Sequence, residues 1–519
     1  MCGIFAVFGH VLPVKQAEEC VMRLKTRGPE SVKLRNIDSI GHIGFTRLRI
    51  MDPDESADQP MIKDGAILIC NGEIYNYKDL IRKYKLSPET GSDCEVIILL
   101  YHKIGFEGML SEIRGVFAFV LFDPKQGIFA ARDPIGVRSM YYGSPSSSKG
   151  SIAFASEMKA IDFCARVDQF PPGSYWNNSM GFERYYSFFY PMLISDEDVA
   201  IRTIHNSLTK ATKIRMMSDR PIGALLSGGL DSSIIAALVA KMSDHKINTY
   251  SIGLEKSTDL KYARIMAKFL GSNHHEVVVT KEDMLGAIPK TIRHIESYCT
   301  TSVRASVGNY LLALWISENS ADKVIFCGDM SDEVFGGYRG MERAPNPRQF
   351  FNENVKLVKQ VHRFDLLRSD KSISGAGLEA RVPFADVRFI NDVMSIDAKL
   401  KMFRYGVGKV LLREAFKDML PEEIYNRPKE AFSDGVSSVK DSWHSIIKKH
   451  VKGMWSAGEF SKEVKKYKHC PPYDHESLWY RQIFEEAYSG RATTIPKFWR
   501  HPFAEKTDPS ARELSNYKS

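Results

Sequence analysis

Several absences narrow this chain before any motif is considered. Its longest apolar run, Val116 to Phe122, is the length of a strand, far short of the roughly 20 residues that a helical membrane span needs. No basic stretch leads into an apolar one at the start. The chain opens Met1-Cys2-Gly3 and passes directly into a strand-like run, so no secretory signal is expected. The eight cysteines are irregularly spaced and none forms a C-x-x-C pair. That argues against a disulfide scaffold or a zinc site and for a reducing compartment. Charge is not concentrated in one sign: 71 Lys and Arg against 63 Asp and Glu leave a net +8. Over this length that is a diffuse solvated surface, not a nucleic-acid footprint. The lysines between residues 440 and 468 lack interleaved aromatics, so no stacking platform for bases is expected there. His274 and His275 are adjacent on a strand-like run and point to opposite faces, which excludes them as joint ligands of one metal ion.

What is present is a soluble-type composition, 44% hydrophobic and 26% charged, in 519 residues. That length exceeds what one core organises, so two domains are expected. The first part carries short apolar runs with strand character at 3–8, 43–50, 66–70, 116–122, 127–131 and 152–155, with one helix-like stretch at 94–102. This is the pattern of an α+β layered domain. Near residues 191–198 the texture changes to helical periodicity interrupted by short β runs at 222–226, 249–252, 276–279 and 324–327. Strand, loop and helix then alternate, as in an α/β doubly wound parallel sheet. The expected division is 1–190 and 191–519.

Two constellations carry chemistry. If the initiator Met1 is removed, Cys2 becomes a terminal residue, and its own α-amine, titrating near 8, can take the thiol proton. Asn71-Gly72-Glu73 supplies a side-chain amide and a backbone N–H suited to an oxyanion hole. Arg47 suits a carboxylate, and Asp93 an ammonium. In the second half, Leu226-Ser227-Gly228-Gly229-Leu230-Asp231-Ser232-Ser233 lies between a strand and a helix. Its glycines admit close backbone approach, and successive N–H groups and the helix N-terminus suit an anion. No Lys follows the glycines, so this is not a Walker loop.

The strings Met1-Cys2-Gly3-Ile4, Arg27-Gly28-Pro29, Asn71 to Asn76 and Gly91 to Glu95 resemble the glutaminase domain of class II, N-terminal-nucleophile amidotransferases. That resemblance implies an αββα sandwich. It implies Cys2 as nucleophile, Asn71 and Gly72 as oxyanion hole, and Arg47, Ile50, Asn71, Gly72, Glu73 and Asp93 around glutamine. The 226–233 string resembles the pyrophosphate loop of ATP pyrophosphatases. Gly328 to Tyr338, Gly377 to Phe384, Arg427 to Gly435 and Asp508 to Arg512 resemble strings of the asparagine synthetase family, in the same order.

Carried over position by position, Leu226, Ile252, Cys327 and Gly328 border the nucleoside of ATP. Ser227, Gly228, Gly229, Asp231 and Ser232 hold pyrophosphate, and Asp231 and Asp332 bind Mg²⁺. Thr301, Ser302 and Arg304 lie near the aspartate acceptor, Lys429 stabilises the charge on the attacked α-phosphate, and Asp329 stands where the family's ammonia-deprotonating Glu does. The resemblance implies a cytoplasmic homodimer acting on glutamine, aspartate and ATP, with no nucleic acid or membrane partner. The chain departs from the family's pattern at Glu30 (Asp), Arg49 (Ser), Thr258 (Pro), Cys299 (Asp), Cys327 (Ser), Asp329 (Glu) and Met330 (Gly). Two rivals stay open at this level: an enzyme of the same architecture with another acceptor, such as a β-lactam synthetase, and a glutaminase whose synthetase site has decayed at Asp329 and Met330.

Overall fold

The computed structural model describes residues 1–10, 12–145, 150–438, 441–504 and 508–515. Lys440, at the head of the lysine-bearing stretch, lies outside them. The chain divides into two compact units. One comprises 1–188, 217–221 and 373–379, and the other 189–216, 222–372 and 380–519.

The first unit holds two six-stranded sheets. In one, Gly3–Phe8 lies between Gly41–Arg47 and Ile152–Ala155, antiparallel to both, with Gly3 opposite Thr46 and Phe5 opposite Ala155. In the other, Ala66–Ile74 runs antiparallel to Gly115–Asp123, with Asn71 opposite Ala118 and Gly72 opposite Phe117. Alternation sorts the side chains. Ile67, Ile69, Ala118, Val120 and Phe122 form one core with Ile4, Ala6, Phe8, Ile43 and Phe45 of the first sheet. Leu68, Cys70, Phe117, Phe119 and Leu121 form another core with helix residues Val96, Ile97 and Leu100. Both faces of these two strands are therefore buried, which is why they read as unbroken apolar runs. On the outer face of the first sheet, helix Val14–Met22 drops Val21 onto Gly44, where a β-carbon would lie 2.2 Å from Val21 Cγ2.

Here the structure extends the expectation from sequence. The helix expected at 94–102 runs Glu95–Glu112, and Val14–Met22 and Tyr77–Tyr84 are additional helices. The Asn71-Gly72-Glu73 string lies inside strand Ala66–Ile74, not in a loop after it. The second unit carries a five-stranded sheet ordered Asn273–Val278, Asn248–Gly253, Ile222–Leu225, Val324–Phe326, Glu379–Arg381. The first four strands pair in parallel. The edge strand Glu379–Arg381 is too short to have been legible. Two elements follow the central strands and set up the site: helix Leu230–Met242 after Ile222–Leu225, and the turn Gly328–Met330 after Val324–Phe326.

Candidate active site

In the first unit Cys2 immediately precedes strand Gly3–Phe8, and its N–H donates to Asn71 Oδ1 at 3.1 Å. The other end of that amide, Asn71 Nδ2, is buried with no hydrogen-bond partner among the described residues. A satisfied oxygen and an orphaned donor on one buried amide mark a place for an incoming acceptor. Gly72 is required by packing: a β-carbon there would lie 2.4 Å from the Val116 carbonyl oxygen. Arg27, which the sequence offered only as part of a string, donates through Nε to the Cys2 carbonyl at 2.9 Å and through Nη1 to Glu157 at 3.0 Å, pinning the Cys2 backbone.

Met1 is present and fully buried, its α-amino group donating to the Leu378 carbonyl at 3.0 Å, and burial pushes that group down to about 5. In this form the Cys2 nitrogen is an amide, not a base. Burial pushes the Cys2 thiol up to about 11, against the opposing pull of the N-terminal ammonium and Arg47.

Asp93 is buried and accepts from the Ile74 N–H at 2.5 Å, tying its loop to the end of the Asn71 strand. Glu73 and Ile50 are buried as well. Arg47 departs from the expected open clamp. Its Nη1 donates to Asp58 Oδ1 and to the Asp54 carbonyl, both at 2.7 Å, and its Nη2 to the carbonyls of Met51 and Asp52. All four Nη hydrogens are engaged, so a carboxylate that arrives on the Nη side has to displace one of these acceptors. Two of the departures from the family's pattern meet nearby. The Arg49 N–H donates to Glu30 at 2.6 Å, and Arg220 donates to the same carboxylate at 2.9 Å.

In the second unit one cavity gathers most of the remaining candidates. Leu226, Ser227, Gly229, Asp231, Ser232, Ile252, Thr301, Cys327, Gly328, Asp329, Asp332 and Lys429 all line it. Gly228 does not, but its φ of +68° and a β-carbon distance of 2.3 Å to Tyr262 explain the glycine. The loop is tied by Ser227 Oγ to Ser232 Oγ at 3.0 Å, and Gly328 packs so closely that a β-carbon would lie 2.7 Å from the Ser232 nitrogen.

Ser302 and Arg304 are not among the lining residues. Arg304 is spent elsewhere: its guanidinium forks onto Glu476 at 2.7 and 2.6 Å and onto Asp508 at 2.9 and 3.2 Å. The Thr-Ser-x-Arg string begins a helix, and only Thr301 of the three falls on the cavity side.

At the centre of this cavity lies a residue that sequence reasoning missed. Lys409 Nζ sits 2.8 and 2.7 Å from the two Asp231 oxygens and 2.6 Å from Asp332 Oδ1, while Lys429 holds Asp332 Oδ2 at 2.6 Å. Burial alone would raise the Asp332 carboxyl, but the two ammoniums outweigh it and hold the group well below the usual range. The same carboxylates raise Lys429 against its own burial. Nothing in Gly406-Val407-Gly408-Lys409 marks this lysine. Its role follows from a left-handed backbone (φ 57°) and from Gly337, whose missing side chain makes room for Lys409 Cε. Asp231 in the 226–233 loop and Asp332 across the cavity are hard oxygen donors of the kind that suit Mg²⁺.

Asp329 is held rather than exposed to the cavity as a bare base. Arg368 donates to its Oδ1 at 2.9 Å and Ser369 Oγ to its Oδ2. Arg368 continues to Asp365 at 2.6 Å. Met330 takes φ 75°, the region glycine enters freely, so the side chain did not force the backbone out of it. Other departures are absorbed by local contacts. Thr258 donates to Glu430 at 2.7 Å, and Cys299 Sγ accepts from the Trp499 N–H at 3.3 Å.

A thiol beside an orphaned amide donor in one unit, and a glycine loop with paired charges in the other, are the parts that a carbon–nitrogen ligase of two chemistries requires. Residues 1–186 match the glutamine amidotransferase domain, and residues 203–357 and 350–506 match asparagine synthase. The chain is 37% identical to the probable glutamine-hydrolysing asparagine synthetase of Acanthamoeba polyphaga mimivirus, over 99% of this chain and 100% of that one. It is 36% identical to the glutamine-hydrolysing asparagine synthetases of Gallus gallus and Homo sapiens, each over 100% of this chain and 99% of the other. The chain belongs to the glutamine-hydrolysing asparagine synthetase family.

Proposed function

We propose that the chain makes asparagine, glutamate, AMP and pyrophosphate from aspartate, glutamine and ATP, with the residue roles that follow. Residues 1–190 are the glutaminase, an αββα sandwich of the N-terminal-nucleophile kind, and 191–519 the synthetase. The observation that carries the first half is the unpartnered Asn71 Nδ2 on the amide that also holds Cys2. Once Met1 is removed, the Cys2 amine takes the thiol proton and Sγ attacks the glutamine side-chain carbonyl. Asn71 Nδ2 and the Gly72 N–H stabilise the oxyanion, ammonia leaves with the proton, and water resolves the thioester to glutamate. Glu73 and Asp93 hold the substrate ammonium, and Arg47, with Ile50 beside it, the carboxylate.

In the second half Leu226, Ile252, Cys327 and Gly328 border the nucleoside. The loop from Ser227 through Gly228, Gly229 and Asp231 to Ser232 takes the pyrophosphate portion. Lys409 and Lys429 turn from the aspartates towards phosphate oxygens as these arrive, and Lys429 counters the charge that develops on the α-phosphate. Mg²⁺ bound by Asp231 and Asp332 would add charge neutralisation at the polyphosphate. The aspartate side-chain carboxylate attacks the α-phosphorus beside Thr301, and the bond to the bridging oxygen breaks as pyrophosphate leaves with its electron pair. Ser302 and Arg304 act from behind that wall by fixing the helix. Ammonia then displaces AMP, and Asp329 takes the proton that ammonia loses, oriented by Arg368 and Ser369. The family resemblance supports a cytoplasmic homodimer.

The test is a product assay with aspartate, ATP, Mg²⁺ and either glutamine or ammonia. Wild type forms asparagine and AMP in equal amounts from both donors. Cys2→Ala does so only from ammonia. ADP and phosphate as products, or glutamine use by Cys2→Ala, would reject the reading.

A further inference from the structure

The C-terminal stretch brings to the synthetase cavity a side chain that the mechanism above does not use. His501 is 7% exposed, and neither Nδ1 nor Nε2 has a hydrogen-bond partner among the described residues. It lines the same cavity as Asp332, Lys429 and Tyr338. The ring is held on two sides, with its centroid 4.9 Å from Trp499 at 70° and 6.0 Å from Tyr338 at 77°. A β-carbon on Gly340 would lie 3.3 Å from His501 Cβ and 2.0 Å from the Pro502 carbonyl, so this stretch is seated directly on the turn that follows Gly336-Gly337. Downstream the chain is fastened by Asp508 to Arg304 at 2.9 Å and by Ser510 to Asp434 at 2.8 Å.

Burial pushes the imidazole down to about 4, although the Pro509 carbonyl, Asp332 and Asp508 favour its protonated form, while Lys429 opposes it. At neutral pH the ring is uncharged and carries one N–H donor and one lone pair. A buried imidazole that has no well-formed hydrogen bond among the described residues, and only the Pro509 carbonyl acting on it as an acceptor, is held at a free-energy cost that a ligand entering the cavity can recover. The charged groups whose fields reach it are Asp332, Lys429 and Asp508. Asp332 and Lys429 belong to the quartet that receives the polyphosphate. With Lys429 in the same cavity, a neutral N–H adds direction to phosphate binding without adding charge.

We infer that His501 is a ligand of the pyrophosphate portion of ATP. One ring N–H donates to a non-bridging phosphate oxygen and stays with the pyrophosphate when the bond to the α-phosphorus breaks. No proton is transferred: the electron pair of that bond goes to the departing pyrophosphate oxygen. The inference rests on the reading of this cavity as the adenylation site.

The experiment uses the full-length protein with ¹⁵N-labelled histidine, as wild type, His501→Phe and His501→Asn, and inorganic pyrophosphate with Mg²⁺ as the probe. Phe fills the space without a donor, and Asn keeps one. The imidazole signal that His501→Phe removes should move on addition of pyrophosphate and not of aspartate. His501→Phe should raise the pyrophosphate inhibition constant against ATP at least tenfold, with a melting temperature within a few degrees of wild type, and Asn should recover part of the loss. An unmoved signal, movement with aspartate alone, or wild-type inhibition of His501→Phe would overturn the assignment. Wild type that neither binds pyrophosphate nor forms AMP would instead overturn the adenylation reading beneath it.

Discussion

At the scale of single residues, the structure assigns work to atoms that are engaged before any substrate arrives. Cys2 is the plainest case. With Met1 attached its nitrogen is an amide and burial raises its thiol to about 11, well above an ordinary cysteine. Protein that retains Met1 should therefore hold about a hundredfold less thiolate at neutral pH than an unperturbed cysteine. Iodoacetamide labelling, followed by mass spectrometry on a mixture of processed and unprocessed chains, checks this. Cys2 should label fast only in chains that lack Met1. Lys409 gives a second residue-scale expectation. Its ammonium neutralises Asp231 and Asp332, which are also the expected cation ligands. Lys409→Met should bind Mn²⁺ more tightly without nucleotide, because no ammonium competes, yet release pyrophosphate about 10²- to 10³-fold more slowly. Mn²⁺ titration by electron spin resonance and a coupled pyrophosphate assay read the two effects separately.

At the scale of elements, the Asn71 strand and a short helix each carry one argument. Gly72 sits opposite Phe117 in the middle of a ladder buried on both faces. Gly72→Ala places a β-carbon 2.4 Å from the Val116 carbonyl, so the strand has to shift and take Asn71 with it. Glutamine-dependent synthesis should fall by at least tenfold while ammonia-dependent synthesis stays close to wild type. Lys401 ends helix Ala398–Lys401, is 3% exposed, and among the described residues its ammonium meets no closer hydrogen-bond partner than Met394 Sδ at 3.6 Å. Burial pushes it down to about 7, with Asp397 opposing. The folded value lies below the unfolded one, so the folded state disfavours the proton. The destabilisation is absent above about 10.5, grows as pH falls towards 7, and is constant below that. Lys401→Met should stabilise by about 1–4 kcal/mol at neutral pH and by almost nothing at pH 11. Urea melts at the two pH values check both the sign and the window.

At the scale of the whole molecule, long-range ion pairs close the synthetase unit around its cavity. Arg304 joins helix Thr300–Asn319 to Glu476 and Asp508, which are 172 and 204 residues away. Glu476 is fully buried on its side chain. Arg304→Met strands that carboxylate and should cost about 3–5 kcal/mol. Adding Glu476→Gln should restore a large part of it, and thermal melts of the single and double variants decide. A loss as large in the double as in the single would mean that packing, not the ion pair, holds the helix.

The residues themselves were enough to single out Cys2, the Asn71 string and the Ser227–Ser232 loop as candidates, because a thiol, an amide donor and a glycine turn are legible in short contiguous strings. They were also enough for the buried strands 3–8 and 116–122, whose apolar runs leave no other place to go. Lys409, Arg368 and His501 were illegible, because each acts on a partner 39 to 178 residues distant or on a cavity wall built from remote segments. The expected use of Arg47 and Arg304 was altered for the same reason. A guanidinium's identity is local, but whether its donors are still open depends on which carboxylates and carbonyls folding brings to it. The sequence by itself determined the two chemistries and the order of their parts. Only the tertiary structure decided which charges neutralise one another before a substrate enters, since electrostatic energy depends on distance in space and not on separation along the chain.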